Sequence, residues 1–202
     1  MATPDASAVD AELLALAARL VVEEGMDYGP AKRKAAQLTG RGRARALPDN
    51  DRLEAAVREH IALFCAATQG AELDALRRVA LEWMQRLARF RPYLTGAVWR
   101  GTATRLSPVQ LQLFCDDAKS AEIALLDLGV RYAVASASGP RGEPIEVLRI
   151  ATPNAALGEP VEVRLAVLDH DDLRGALRPD RNGRSERGDA AALRRLIEAA
   201  CA

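Results

Sequence analysis

The densest group of side chains that could do chemistry is the Asp-His-Asp-Asp tetrad at residues 169–172. Carboxylates beside an imidazole can bind a divalent cation or act as a general base. The tetrad follows residues 161–167, whose alternation predicts the clearest half-buried strand of the chain, and loops at strand ends commonly carry ligands. The candidate metal ligands are Asp169, His170 and Asp171. A structural role is the alternative, because an aspartate here could cap a helical turn that begins at Leu173.

Further carboxylates stand near other predicted strands. Asp116 and Asp117 follow the apolar segment 109–114, where either could cap the helix expected next. Glu146 and Glu162 lie within extended segments, and the simplest interpretation of both is a solvent-facing strand residue. Carboxylates that met from several strands could bind Mg²⁺ and support catalysis. The candidate catalytic residues are Asp116, Asp117, Glu146 and Asp169.

The spacing of apolar residues along the chain changes after Pro92, and this change separates the predicted helices from the predicted strands. Spacings of three and four predict helices at residues 10–24, 30–38, 50–64 and 71–90. Alternating or continuously apolar segments predict strands at residues 94–100, 109–114, 132–136, 145–150 and 161–167. Two more helices are expected, one after Asp117 and one at residues 189–200. The pattern predicts an α+β protein with a helical N-terminal part, residues 1–48, packed on a mixed sheet within an α+β domain, residues 49–202.

Length and charge limit the classes of function. The 28 basic and 28 acidic residues of this 202-residue chain cancel, which disfavours nonspecific attraction to nucleic acid or anionic lipid. No apolar segment approaches the length of a membrane span. The acidic first 25 residues differ from a signal peptide, and the three widely spaced cysteines suit a reducing compartment. We therefore expect a cytoplasmic protein, and its preference for arginine over lysine suggests a bacterial origin.

Two basic clusters could bind anions. The segment 32–45 carries six basic residues and no acid beside two short helices, so a DNA-binding regulator that uses this segment is one hypothesis. A solvated basic face is the alternative. The second cluster could grip phosphate or the acidic surface of a partner protein. It consists of Arg174, Arg178, Arg181, Arg184 and Arg187.

The most informative motif lies between two predicted strands. The small pair Gly101-Thr102 follows the first strand, and Ser107-Pro108-Val109-Gln110-Leu111 opens the second after a short loop. This arrangement resembles the nucleotidyltransferase superfamily, in which a small-residue pair precedes a Ser-Asp-x-Asp-Leu strand. The resemblance covers about half of the chain.

The resemblance implies a nucleotidyltransferase-like mixed sheet on which backbone N–H groups of the small pair approach a triphosphate. In that family two carboxylates on one strand face hold Mg²⁺, because alternate residues of a strand project the same way. Pro108 and Gln110 occupy those two positions here. Neither side chain offsets the dehydration of Mg²⁺, so the resemblance implies a degenerate, non-catalytic member. Glu146 or Glu162 could stand on the strand of the third carboxylate.

Such a protein would bind a nucleotide, a phosphorylated small molecule or a partner protein, with no cofactor. The candidate ligand-binding residues are Gly101, Thr102, Arg100, Arg105 and Gln110. The alternative within the same resemblance is an active nucleotidyltransferase, whose Mg²⁺ would be held by the rearranged carboxylates named above.

A second resemblance extends over the whole chain. It is similar to uncharacterised proteobacterial proteins, some of which carry the label UDP-N-acetylmuramate–alanine ligase. Ligases of that kind are ATP-dependent and use a Gly-Thr-x-Gly-Lys-Thr phosphate loop. The partial match Gly101-Thr102-Ala103-Thr104 lacks the lysine that would reach the phosphates, which disfavours this function.

Overall fold

The computed structural model describes residues 6–40, 47–139, 142–173 and 185–200. The chain divides into two compact units. The helical unit comprises Met1–Gly70 together with Thr102–Ser107, and the sheet unit comprises Ala71–Gly101 together with Pro108–Ala202. N-terminal helices and a mixed six-stranded sheet confirm the predicted α+β class. Residues 49–70 belong to the helical unit, whereas the sequence analysis grouped them with the sheet domain.

The helical unit is built on helices α1 (Ala6–Glu24), α2 (Tyr28–Leu38) and α3 (Asn50–Phe64). Helix α1 packs against both of the others and buries an apolar stripe that includes Leu13 and Leu20. Helix α3 begins where predicted, because the side chain of Asp49 accepts a hydrogen bond from the backbone N–H of Arg52. Periodicity alone was sufficient to locate these helices.

A short loop, Thr102–Ser107, completes the helical unit. Its residues Thr102, Thr104 and Ser107 are buried, which is unusual for polar loop residues. The Thr104 hydroxyl donates to the carbonyl of Val22 at 3.2 Å, and the Ser107 hydroxyl accepts from the Thr104 N–H at 3.0 Å. The side-chain amide of Gln69 donates to the carbonyl of Ala103 at 3.0 Å. Hydrogen bonds within the helical unit therefore use many of the donors and acceptors of this loop.

The sheet unit contains most of helix α4 (Gln69–Arg86), a 3₁₀ turn (Ala88–Phe90), and helices α5 (Gly96–Arg100), α6 (Ala118–Asp127) and α7 (Ala190–Ala200). Its strands are β1 (Tyr93–Thr95), β2 (Val109–Phe114), β3 (Ala133–Ser138), β4 (Pro144–Thr152), β5 (Val161–Leu168) and β6 (Arg187–Gly188). They lie in the order β3-β4-β5-β2-β1-β6. The pair β2 and β5 is parallel and the other four pairs are antiparallel.

One predicted strand is wrong in its extent. Residues 94–100 were expected to be extended throughout, but β1 ends at Thr95 and helix α5 begins at Gly96. The φ angle of Gly96 is +71°, which turns the backbone out of the strand. L-amino acids with a side chain disfavour this region, so the glycine decides where the strand stops.

The two faces of the sheet differ in polarity. One face presents the fully buried Leu94, Leu111, Leu148 and Leu165 on four neighbouring strands. Trp83 of α4 belongs to this core, and its indole N–H donates to the hydroxyl of Thr152 at 2.9 Å. The other face carries polar side chains around Arg164 and Gln110. Val147, Ala166 and Leu168 project from the same face and are apolar. Among the described residues, no helix has the length and hydropathy that a membrane crossing requires.

Candidate functional site

A row of polar side chains crosses the second face of the sheet. The strand register sets Arg149 opposite Arg164, Arg164 opposite Gln110, Gln110 opposite Thr95, and Thr95 opposite Arg187. Residues that are directly opposite in paired strands project from the same face. Five adjacent strands thus bring three guanidinium groups, an amide and a hydroxyl onto one surface. Arg149 is exposed, and the other four side chains are half-buried.

Glu162 holds two of these arginines side by side. Arg164 donates through Nε to Glu162 Oε2 at 2.9 Å, and Arg149 donates to the other carboxylate oxygen. Burial by itself would raise the pKa of Glu162, but the hydrogen bonds and charges of Arg164 and Arg149 outweigh it and lower the pKa. The carboxylate is therefore ionised, and the group of two guanidiniums and one carboxylate retains a net positive charge.

Arg187 ends the row at the edge strand β6. It donates through Nη1 to the side-chain oxygen of Gln112. Desolvation lowers the pKa of Arg187, and its buried Nε has no hydrogen-bond partner among the described residues. A buried donor without an acceptor is costly, so an anion that accepted a hydrogen bond here would remove that cost.

Gly96 is the residue of this face that sequence reasoning missed. A Cβ atom built on Gly96 would lie 2.7 Å from the side-chain oxygen of Gln110, so the backbone and this amide are in close contact. The small pair predicted from the motif is Gly101-Thr102, whereas the small residue that follows β1 directly and contacts Gln110 is Gly96. The sequence feature that could have identified Gly96 was its position immediately after Leu94-Thr95.

The predicted ligand-binding residues do not all belong to the same unit. Arg100, Gly101 and Gln110 lie in the sheet unit. Gly101 ends helix α5 in the left-handed conformation, with φ +78°, which gives it a capping role. Thr102 and Arg105 belong to the helical unit, where Thr102 is buried and Arg105 is exposed. A phosphate-binding role for Gly101 and Thr102 stays a prediction.

Two of the predicted acidic residues, Asp116 and Asp117, line a cleft at the other end of the parallel strands. Cys115 follows β2, and its N–H donates to the carbonyl of Leu168 at the end of β5, so both strands finish at one edge. The cleft has a volume of about 590 Å³. It is lined by Arg89, Phe90, Arg91, Phe114, Cys115, Asp116, Asp117, Ser120, Ile123 and His170. Three of the predicted site residues, Asp116, Asp117 and His170, therefore meet there.

Arg91 and His170 approach each other across the cleft. Arg91 Nη1 lies 3.3 Å from His170 Nε2, and because a guanidinium only donates hydrogen bonds, the ring nitrogen is the acceptor in this contact. The neighbouring thiol of Cys115 is unsuited to nucleophilic attack, because burial, and then the charge of Asp117, raise its pKa.

The carboxylates of this region act as helix caps. Asp117 accepts from the N–H of Lys119 at 3.0 Å at the start of α6. Asp169 accepts from the N–H of Asp171 at 2.8 Å and caps the 3₁₀ turn His170–Asp172. Residues 174–184 lie outside the described part of the chain, so the cap of a helical turn that begins at Leu173 stays a prediction. Within the part of the chain that the structure describes, no three His, Cys, Asp or Glu side chains could hold a metal ion. Neither the set Asp116, Asp117, Glu146 and Asp169 nor the set Asp169, His170 and Asp171 forms such a group.

The two aspartates that precede α6 should differ in their effect on stability. We expect Asp117→Ala to lower the free energy of unfolding by about 1 kcal/mol, because the N-cap hydrogen bond is lost. Asp116→Ala, at an exposed position, should change it by less than about 0.5 kcal/mol. Urea denaturation of both variants measures the difference. Equal losses would contradict the capping role.

The basic segment 32–45 is only partly described. Lys32 donates to the carbonyl of Pro48 at 2.8 Å and to the side chain of Asn50 at 2.9 Å. Lys34 forms an ion pair with Glu24 at 2.6 Å. Both lysines thus make contacts inside the helical unit. The remaining arginines of the two basic clusters, apart from Arg33 and Arg187, lie outside the described residues: Arg41, Arg43, Arg45, Arg174, Arg178, Arg181 and Arg184.

These features define the class of protein: an α+β chain whose mixed sheet has a parallel pair, an apolar core face and an arginine-bearing polar face. No protein-family model matches the sequence. No curated protein matches it either.

Solved structures show a partial structural similarity. A Cid1 poly(U) polymerase with bound MgGTP aligns with a TM-score of 0.36 and 13% identity, over 54% of this chain and 38% of that chain. A cytoplasmic RNA terminal U-transferase aligns with a TM-score of 0.34 and 16% identity, over 54% of this chain and 36% of that one. The chain therefore spans less than two fifths of these proteins. The matches assign no family and carry no argument about activity.

Proposed function

We propose that this chain binds the phosphate groups of a nucleotide or another phosphorylated ligand on the polar face of its sheet, without a metal ion and without nucleotidyl transfer. The observation that carries the proposal is the single row that contains Arg149, Arg164 and Arg187. Arginine offers five donors in a planar fork that matches phosphate geometry. Three such groups on a rigid sheet provide a pre-organised anion site.

The spacing of the row suits an extended anion. Strands lie about 4.8 Å apart, so the backbones of Arg164 and Arg187 are about 14 Å apart across β2 and β1. The long guanidinium side chains of Arg164 and Arg187 can reach inward toward a group of phosphates. Between these two arginines, Gln110 and Thr95 supply an amide and a hydroxyl. A ligand with more than one phosphate can therefore contact both arginines.

The charge of the face argues against a divalent cation there. The resemblance to nucleotidyltransferases assigns the metal-binding positions to Pro108 and Gln110, which carry no charge. Arg164 stands directly beside Gln110, and its positive charge would repel Mg²⁺. Glu162, the nearby carboxylate, is already engaged by Arg149 and Arg164. The site thus replaces metal-mediated neutralisation of phosphate with direct neutralisation by arginine.

Removing divalent metal tests this proposal directly. We expect a nucleoside triphosphate to bind in EDTA, and to bind more weakly when Mg²⁺ is added, because the cation neutralises the phosphates that the arginines recognise. Isothermal titration calorimetry of the full chain measures both affinities, and pyrophosphate release monitors transfer. The absence of both heat and a thermal shift for ATP, GTP, CTP and UTP in EDTA would refute nucleotide binding. Affinity that required Mg²⁺ would refute the metal-free site.

A further inference from the structure

We propose that the outer edge of strand β3 pairs with β3 of a second copy of this chain, antiparallel across a two-fold axis. Strand β3 lies at one end of the sheet, and six consecutive residues pair with β4 without a bulge. Within the described residues no strand pairs with its other side. A regular edge strand of this kind presents unpaired N–H and C=O groups to another chain.

Strand β3 lacks the features that commonly protect a sheet edge. Its sequence, Ala-Val-Ala-Ser-Ala-Ser, contains no charged residue and no proline. Five of its six residues are exposed, so the strand is open on both faces as well as at its edge. The opposite edge, β6, is only two residues long and includes Arg187. Short and charged edges discourage pairing, whereas β3 permits it.

Exposed large apolar side chains of the sheet unit occur on β3 and in the segment that precedes it in the chain. Among the described residues of that unit, the exposed large hydrophobic residues all fall between positions 123 and 134. They are Ile123, Leu126, Leu128 and Val134, with exposed fractions of 53%, 62%, 48% and 56%. The first two belong to α6, Leu128 follows that helix, and Val134 belongs to β3.

Helix α6 and Val134 lie on the same face of the sheet. Val134 pairs with Leu148 and so points toward the core face. Glu146 shares that face by strand alternation, and its charge raises the pKa of Lys119 on α6, after the larger effect of Glu122. A two-fold axis perpendicular to the sheet keeps both copies of α6 on this one face.

Charge favours a second copy over another occupant. In a two-fold antiparallel pair, β3 of one copy faces β3 of the other. Charged residues on this strand would therefore lie opposite residues of the same charge. Strand β3 carries none, and the formal net charge of the chain is zero, which removes the general repulsion between copies. A peptide partner would need specific charges to be selected, and this strand offers no charge to select them.

Sedimentation equilibrium of the full chain over a concentration series tests the interface. We expect a dimer for the wild type and a shift to monomer for Val134→Lys, because the introduced ammonium groups would lie on the two paired strands. Leu126→Lys should also shift the equilibrium to monomer, since it charges the apolar surface of α6 on the same face. The matched control is Leu38→Lys, an equally exposed leucine of α2, at 64% exposure. It should remain dimeric. Circular dichroism verifies that each variant is folded.

A cysteine at Ser136 gives a second, independent readout. Ser136→Cys lies at the strand centre, so two copies should form a disulfide or react with a short bis-maleimide. The parent protein, which contains Cys65, Cys115 and Cys201, sets the background. A monomeric wild type, or a dimer that persists in both lysine variants and shows no added cross-link at position 136, would overturn the proposal.

Discussion

Replacing Arg164 with glutamine is expected to weaken the binding of a nucleoside triphosphate by at least about thirtyfold in EDTA. Loss of one partner of a partly buried, charge-assisted contact costs about 2 kcal/mol or more, and about 1.4 kcal/mol corresponds to tenfold in affinity. The effect should be large because Arg164 lies directly beside Gln110 in the row and also engages Glu162. Without Arg164, the Glu162 carboxylate would keep one arginine and would repel the phosphates.

An arginine outside the row provides the control. Arg194 is exposed on α7 of the same unit, and Arg194→Gln makes the same chemical change. Calorimetric titration should give that variant the wild-type dissociation constant within about twofold, since an isolated surface charge contributes little. If both variants lose affinity equally, the interaction is a general charge effect. If Arg164→Gln binds like the wild type, the ligand does not use this face.

Replacing Gly96 with alanine is expected to lower the free energy of unfolding by about 2–3 kcal/mol. The positive φ angle costs about 1–2 kcal/mol for a residue with a side chain. The new methyl group would also lie 2.7 Å from the Gln110 side-chain oxygen, and moving the end of this flexible side chain aside costs about 1 kcal/mol, the low end for overpacking. Urea denaturation measures the sum.

A second glycine separates these two contributions. Gly129 has a φ of +66°, and a Cβ atom there meets nothing within 4 Å. Gly129→Ala should therefore show the backbone cost alone, about 1–2 kcal/mol. Combining Gly96→Ala with Gln110→Ala should recover part of the larger loss, as a double-mutant cycle would show. Equal losses at Gly96 and Gly129, with no coupling to Gln110, would contradict the close contact that defines this end of the site.

Local pattern was enough to predict much of the secondary structure. The three- and four-residue spacing of α1, the Asp49 cap of α3 and the alternation of β5 depend on residues close in sequence. Segment 94–100 shows the limit of that approach, because its composition suited a strand while one glycine with positive φ redirected the chain. The capping role of Asp117 was also local, because its side chain accepts from the N–H of a residue only two positions on.

The polar row could not be predicted in the same way. Each of Arg149, Arg164 and Arg187 has an ordinary local sequence, and the sequence analysis noted only Arg187, within a basic loop cluster. These three arginines lie in one row because β2 and β1 stand between β5 and β6 in the sheet.

The sequence by itself determined the α+β class, most element positions and the absence of carboxylates at positions 108 and 110. The tertiary structure decided that Gly96 rather than Gly101 touches Gln110 and that Arg164 stands beside that amide. The physical reason is that helix periodicity and capping involve neighbours within a few residues, whereas strand order and register depend on pairing between segments far apart in the chain.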